Sequence, residues 1–163
     1  MLFITIRAVI YVTAFILLFG WLSLSVRSFD RDIGIVLPNW TTGLGIILMV
    51  AGGLLVLMCA AVFVARGRGT PAVFDPPREF VALGPYKFVR NPMYIGGFML
   101  QLGFGLYHRS PSILLLSLLL ILLLHLFVVF IEEPGLEERF GQGYLDYKKA
   151  VNRWIPKSRP SVS

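Results

Sequence analysis

The chain has 163 residues, 56% hydrophobic and 15% charged; an ordinary soluble domain carries about 25% charged residues, so a soluble globular protein is excluded in favour of an integral membrane one. The formal charge of +6 does not signal nucleic-acid binding, because the basic residues flank apolar runs instead of lining one face. One cysteine, Cys59, and two histidines, His108 and His125, exclude an internal disulfide, a CxxC knuckle and a histidine-rich metal site.

In chain order, the first apolar run covers about residues 2–24. It outlasts the roughly 7–15-residue core of a signal peptide, and a second span comes soon after, so it reads as a retained anchor. The second run covers about residues 42–65, giving a two-helix hairpin at residues 1–65 ahead of a unit at 66–163. The segment 65–92, ARGRGTPAVFDPPREFVALGPYKFVRNP, contains five prolines and cannot be one helix. It reads as a loop against the membrane, with turns at Asp75-Pro76-Pro77 and Gly84-Pro85.

The third run, about residues 93–107, is short for a bilayer that needs about 20 helical residues. The fourth, about residues 112–131, has no formal charge, and 17 of its 20 residues are Leu, Ile, Val or Phe. At roughly −0.5 kcal/mol each these favour insertion by about −8 kcal/mol. Arg66, Arg68, Arg78, Lys87 and Arg90 precede the third run, and Arg139, Lys148, Lys149, Arg153, Lys157 and Arg159 come after the fourth. The other two connections hold only Arg27, Arg31 and Arg109. An even number of spans puts both basic segments and both termini in the cytoplasm. The expected fold is all-α, with four transmembrane helices, a cytoplasmic loop and an amphipathic C-terminal helix. In that tail Leu136, Phe140, Tyr144, Tyr147, Val151 and Trp154 recur every three or four residues, opposite Glu137, Glu138, Asp146, Lys148 and Lys149. A break is expected near Gly141-Gln142-Gly143, and Pro134 should bend or end the fourth helix.

The polar residues in apolar surroundings are the candidates for chemistry. His125 lies inside the fourth run; Glu132, two turns on, and Ser117, eight residues earlier, share roughly its face. His125 and Gln101 each fit a hydrogen bond to a neighbouring helix equally well. Glu132 and Glu133 stand at the membrane boundary, where desolvation demands partners, and Arg90 and Arg153 are available. Arginine suits a carboxylate and glutamate an ammonium, so the set suits a zwitterion. The glycines of spans two and three suit close helix packing, with Gly96 and Gly97 set apart because they come directly after the doorway, in GPYKFVRNPMYIGG. Tyr86 and Tyr94 fit either interfacial anchoring or stacking on a purine. There is no GxGxxG, P-loop, GxSxG, HExxH or SxxK.

Taken together, TPAVFDPPREFVALGPYKFVRNPMYIGG, a leucine-rich span and EEPGLEERFGQGYLDYKKAVNRWIP resemble the isoprenylcysteine carboxyl methyltransferase family and the related phospholipid methyltransferases. The resemblance covers about residues 66–156, with GPY, R-N-P-x-Y-x-G, the paired glutamates, F-G-x-x-Y-x-x-Y and a terminal I-P in order. It implies S-adenosylmethionine as methyl donor, no metal, and a lipophilic or prenylated acceptor that arrives from the membrane lipids, with no protein partner. It places Gly84, Pro85, Tyr86, Asn91, Pro92, Tyr94, Gly96, Glu132, Tyr144 and Tyr147 around the cofactor and gives catalytic roles to Arg90, Glu133 and Arg153. The eukaryotic prenylcysteine enzymes have histidine where this chain has Asn91, and bacterial-type relatives have asparagine, which implies a bacterial-type inner membrane. An acceptor carboxylate needs no base and Arg90 could orient it, whereas an amine or thiol would call on His125 or a glutamate. A reductase using NADPH and a non-catalytic membrane scaffold are the competing classes.

Overall fold

In lipid a backbone has no hydrogen-bond partner but itself, so long apolar runs become helices. The computed structural model describes residues 2–62 and 82–157. Arg66, Arg68, Arg78 and Arg159, the Asp75-Pro76-Pro77 turn and the expected boundary between residues 65 and 66 lie outside the described residues. Helix α1 runs Leu2–Val26, a 3-10 turn at Arg27–Phe29 leads into the short α2 at Asp30–Ile33, and α3 spans Thr41–Val62. After a 3-10 turn at Gly84–Lys87 come α4 (Pro92–Tyr107), α5 (Pro111–Phe127), a π turn (Val128–Glu132), α6 (Glu133–Phe140) and α7 (Gln142–Ala150). Among the described residues there is no strand, only an isolated parallel bridge between Val89 and Asn152.

Three segments, Thr13–Ile33, Thr41–Val62 and Pro111–Phe140, are long and apolar enough to cross a bilayer, so this is an all-helical integral membrane protein. Of the four expected spans, the one carried by α4 has only 16 residues. At 1.5 Å per residue that is about 24 Å of helix against about 30 Å of hydrocarbon.

What α4 lacks in length it makes up in contact. It runs antiparallel to α3, and glycines seven residues apart on each helix meet in reciprocal pairs. A Cβ on Gly52 would lie 2.6 Å from the Gly96 carbonyl oxygen, and one on Gly96 would lie 2.9 Å from that of Gly52. Gly45 and Gly103 repeat the arrangement at 2.6 and 2.7 Å. Backbone therefore lies on backbone, which lipid-embedded helices achieve only through small residues. Gly96 is thus accounted for by packing on α3, unlike Gly97, whose Cβ would meet nothing within 4 Å. Polar bonds join the remaining helices. Gln101 on α4 donates to Ser23 Oγ on α1 at 2.7 Å, so the glutamine makes the inter-helix bond expected of it. The Asp30 carboxylate accepts from Ser110 Oγ at 2.8 Å and from the Ser112 amide at 3.0 Å, and Ser110 Oγ accepts from the Ile113 amide, closing the N-terminus of α5.

The fourth helix does not end at Pro134. It widens into the π turn just before the proline and continues as α6. Widening the turn relieves the clash between a proline ring and the carbonyl four residues back, and it absorbs the missing N–H. Gly141 ends α6 at φ 55°, ψ −133°, a conformation reserved for glycine, and α7 starts at the next residue, within the expected break.

The glycine contacts give opposite signs for neighbouring substitutions. Gly52→Ala should lower the thermal midpoint of the detergent-solubilised protein, because overpacking of this kind costs about 1–3 kcal/mol. Gly53→Ala, whose Cβ would meet only Leu100 Cδ2 at 3.8 Å, should leave the midpoint unchanged or slightly raised. Equal midpoints for the two variants would refute the backbone contact.

Candidate functional site

The doorway is irregular because its sequence forbids anything else. Gly84 sits at φ +57°, with its would-be Cβ 2.9 Å from Val62 Cγ2, and Pro85 starts the 3-10 turn. Tyr86 is buried, and its carbonyl accepts the Tyr147 hydroxyl at 2.6 Å, tying the turn to α7. The chain then runs alongside the residues after α7. The Arg90 amide donates to the Asn152 carbonyl at 2.9 Å and the Asn91 amide to the Arg153 carbonyl at 3.3 Å. Pro92, fully buried, starts α4. Two segments some sixty residues apart are thus joined through backbone groups that no side-chain pattern reveals.

Side chains converge from that junction on Glu133, the first residue of α6, which is 2% exposed. Arg153 binds it in a fork, Nε to Oε1 at 2.7 Å and Nη2 to Oε2 at 2.9 Å. Arg90 Nη2 lies 3.1 Å from Oε1, and Lys148 Nζ lies 3.5 Å from Oε2 while also pairing with Glu137. Of the glutamate pair read as suiting an ammonium, Glu133 has both its oxygens against cations of the chain, contacts that hold Arg90 and Arg153 in place. Beside it Tyr94 donates to Glu132 Oε2 at 3.0 Å, joining α4 to the π turn.

The guanidinium of Arg90 is only partly used. Its side chain is 8% exposed, and Nε and Nη1 are buried with no hydrogen-bond partner among the described residues. Asn91 Nδ2 is buried and unpartnered in the same way. Adjacent residues thus present three buried donors without a partner among the described residues, an arrangement costly enough to call for an acceptor from beyond them. Tyr144 and Tyr147 complete the surroundings, with rings 6.2 Å apart. Burial is the main cause raising both phenols; the Glu133 carboxylate adds to it at Tyr144, and Tyr144 adds to it at Tyr147. Burial likewise raises Tyr86, seconded by Cys59, so all three stay protonated at neutral pH. The hydrogen bond to Glu133 raises Arg153 above the ordinary arginine value and keeps it charged.

The structure brings together Arg90, Asn91, Glu133, Arg153, Tyr144 and Tyr147, with Glu132 and Tyr94 alongside. Gly96 faces α3 instead. Lys148 belongs to the cluster although its charge suggests a solvated face; it lies four residues from the buried Tyr144, and that spacing was the available signal. Trp154 also goes beyond its reading as part of an apolar face, since its indole N–H donates to His125 Nδ1 at 3.0 Å.

Comparison with known proteins gives two findings. A family model described as phospholipid methyltransferase matches residues 40–143. Among solved structures the chain is similar to the eukaryotic intramembrane Ras methyltransferase, isoprenylcysteine carboxyl methyltransferase, at TM-score 0.65 and 22% identity over 85% of this chain and 51% of that one. The chain thus spans about half the length of that structure, and the likeness is one of fold. No curated protein matches.

Removing the central carboxylate should expose what it balances. Glu133→Gln leaves two largely buried arginines without a counter-charge, which costs about 3–5 kcal/mol. Glu137→Gln, at a partly exposed pair, should cost about 0–1 kcal/mol. Thermal unfolding of both variants in one detergent checks the ranking, and similar losses would contradict it.

Proposed function

The chain belongs to the phospholipid methyltransferase family, and we propose that it is a membrane-embedded methyltransferase that takes its methyl group from S-adenosylmethionine. The reading rests above all on the three buried donors at Arg90 Nε, Arg90 Nη1 and Asn91 Nδ2. S-adenosylmethionine is rich in acceptors, with a carboxylate, ribose hydroxyls and ring nitrogens, and it fits a site that supplies donors and aromatic rings. Arg90 and Asn91 would hold the carboxylate, with Arg153 adding positive potential, and Tyr86, Tyr94, Tyr144 and Tyr147 would flank the nucleoside. Gly84, Pro85 and Pro92 fix the backbone that carries these groups, while Glu132 restrains Tyr94. When bound, the cofactor supplies an electrophilic methyl on a sulfonium, and the electrons of the broken S–C bond stay on sulfur. The chain's own part is positioning and charge, which suffices for an in-line displacement between reactants held in contact.

The acceptor we propose is a carboxylate on a lipophilic, isoprenylcysteine-like molecule. A carboxylate is ionised at neutral pH and attacks through its own lone pair, so no base is required. His125, the one histidine near the inner end of the fourth span, has its Nδ1 lone pair engaged by Trp154, which argues against its serving as the base that an amine or thiol would need. The phospholipid amine is the second reading, favoured by the description of the matching family. Around this site we place four spans. The short α4 would cross as the third, with local thinning or the doorway backbone completing its length. The loop, both termini and helices α6 and α7 would lie on the cytoplasmic side of a bacterial-type inner membrane, the two helices against its surface. The catalytic unit would be residues 66–163, with residues 1–65 as its membrane scaffold.

Titration calorimetry of the detergent-purified protein tests the donor. S-adenosylhomocysteine should bind and NADPH should not, and Arg90→Ala should weaken binding about tenfold or more, the effect of losing a charge-assisted hydrogen bond. Glu133 keeps Arg153 and Lys148 in that variant, so the fold should persist. NADPH binding would favour a reductase, and binding of neither ligand a non-catalytic scaffold.

The pH dependence of methyl transfer to membrane extracts tests the acceptor. A carboxylate, ionised above about pH 5, should give a rate flat from about pH 6 to 8. An amine reacts only when deprotonated, so its rate should rise about tenfold per pH unit over the same window.

A further inference from the structure

His125 and Trp154 have no part in the site as described, yet they share one hydrogen bond. The indole Nε1–H donates to His125 Nδ1 at 3.0 Å, with the rings 6.1 Å apart and tilted by 42°. An indole N–H can only donate, so Nδ1 must present its lone pair, and the proton of the neutral ring is on Nε2. The partner's place in the chain gives the bond its significance. Trp154 comes directly after Asn152 and Arg153, whose carbonyls receive the Arg90 and Asn91 amides. Val151, just before them, is extended and 3% exposed, while Ile155, Pro156 and Lys157 just beyond are exposed.

His125 and Glu133 stand eight residues apart on one continuous helical stretch, about 12 Å along its axis. Arg153 binds Glu133 while Trp154 binds His125, so the peptide between them is held at two separate places along that stretch.

We propose that His125 is a positioning residue whose acceptance of the Trp154 indole N–H latches the C-terminal segment across α5 and so holds the 152–153 carbonyls against the amides of Arg90 and Asn91. The ion pair at Glu133 fixes where the segment ends its reach in one direction only; the second anchor fixes its rotation and register. A consequence for ligand binding, namely that the latch sets the aim of the Arg90 and Asn91 donors, rests on the proposed donor site. The latch itself does not.

Amide exchange read by mass spectrometry on peptides spanning Val89–Asn91 tests the latch in the intact protein without any ligand. His125→Phe and Trp154→Phe should each speed exchange there about three- to tenfold, as expected for loss of one neutral hydrogen bond. His125→Asn, whose Oδ1 falls near the place of Nδ1 and can accept, should restore protection. The double variant His125→Phe with Trp154→Phe should be no worse than either single one, because both remove the same bond. Binding of S-adenosylhomocysteine should weaken and recover in parallel. Unchanged exchange in His125→Phe and Trp154→Phe, no recovery in His125→Asn, or additive losses in the double variant would each overturn the latch. Should His125→Phe fail to fold, Trp154→Phe and His125→Asn decide it. If the unsubstituted protein fails to bind S-adenosylhomocysteine while the exchange results hold, the donor-site reading falls and the latch stands.

Discussion

A carboxylate with 2% of its surface exposed is stable as an ion only if the chain surrounds it with positive charge, and this demand at Glu133 organises one end of the molecule. Arg90 comes from the doorway, Lys148 from α7 and Arg153 from the segment beyond. No two of these share an element, so satisfying one acid assembles four parts of the chain. The assembly also explains why Arg90 has spare donors. Planar guanidinium presents five N–H groups, and the acid engages only one nitrogen of Arg90, Nη2. The anchoring side of the residue is filled, while Nε and Nη1 have no partner among the described residues.

Rigidity at that end needs support from the rest of the bundle, and it comes from contacts of different kinds at different depths. In the middle, the carbonyls of α3 and α4 pass each other at glycine, which fixes the axial register of the two helices within a fraction of a turn. At the far end, Asp30 accepts from Ser110 and the Ser112 amide and so closes the N-terminus of α5. Between them Gln101 reaches Ser23, a bond that orients α1 without close packing. Because α4 is held in register by α3, Tyr94 meets Glu132 one turn into the helix, and the doorway inherits that alignment.

Much of this was legible in the sequence, and the rest was hidden for identifiable reasons. The apolar runs, the interrupted doorway and the two-part tail could be read from periodicity and from the positions of proline and glycine. The meeting of Arg90, Glu133 and Arg153 could be read from the cost of leaving acids unpaired at a membrane boundary. Four features could not. The pairing of Arg90 and Asn91 with Asn152 and Arg153 uses only backbone groups, which every residue carries alike. Gly96 was set apart by its nearness to the doorway, whereas the seven-residue spacing it shares with Gly103, and Gly45 with Gly52, carried the packing information. Lys148 and Trp154 were assigned to faces by polarity, although long side chains with a charged or N–H tip serve an apolar surface and a polar partner at once. Pro134 was taken as a stop or a bend because the clash it causes in an α-helix is real; a wider turn is another way to remove it.

That wider turn ties Pro134 to the number of residues ahead of it. A π turn holds one residue more than an α turn, and an ordinary helical residue rotates its successor by about 100°. Deleting one residue from Val128–Glu132 would let ordinary winding return while leaving Glu133 on the side where its cations lie. The proline would not tolerate that exchange, since its ring would again press on the carbonyl four residues back. The extra residue and the proline are therefore interdependent, to be kept or lost as a pair. A deletion within α6, which has no slack winding to draw on, would instead carry Lys148 and every later side chain around the axis and away from the acid.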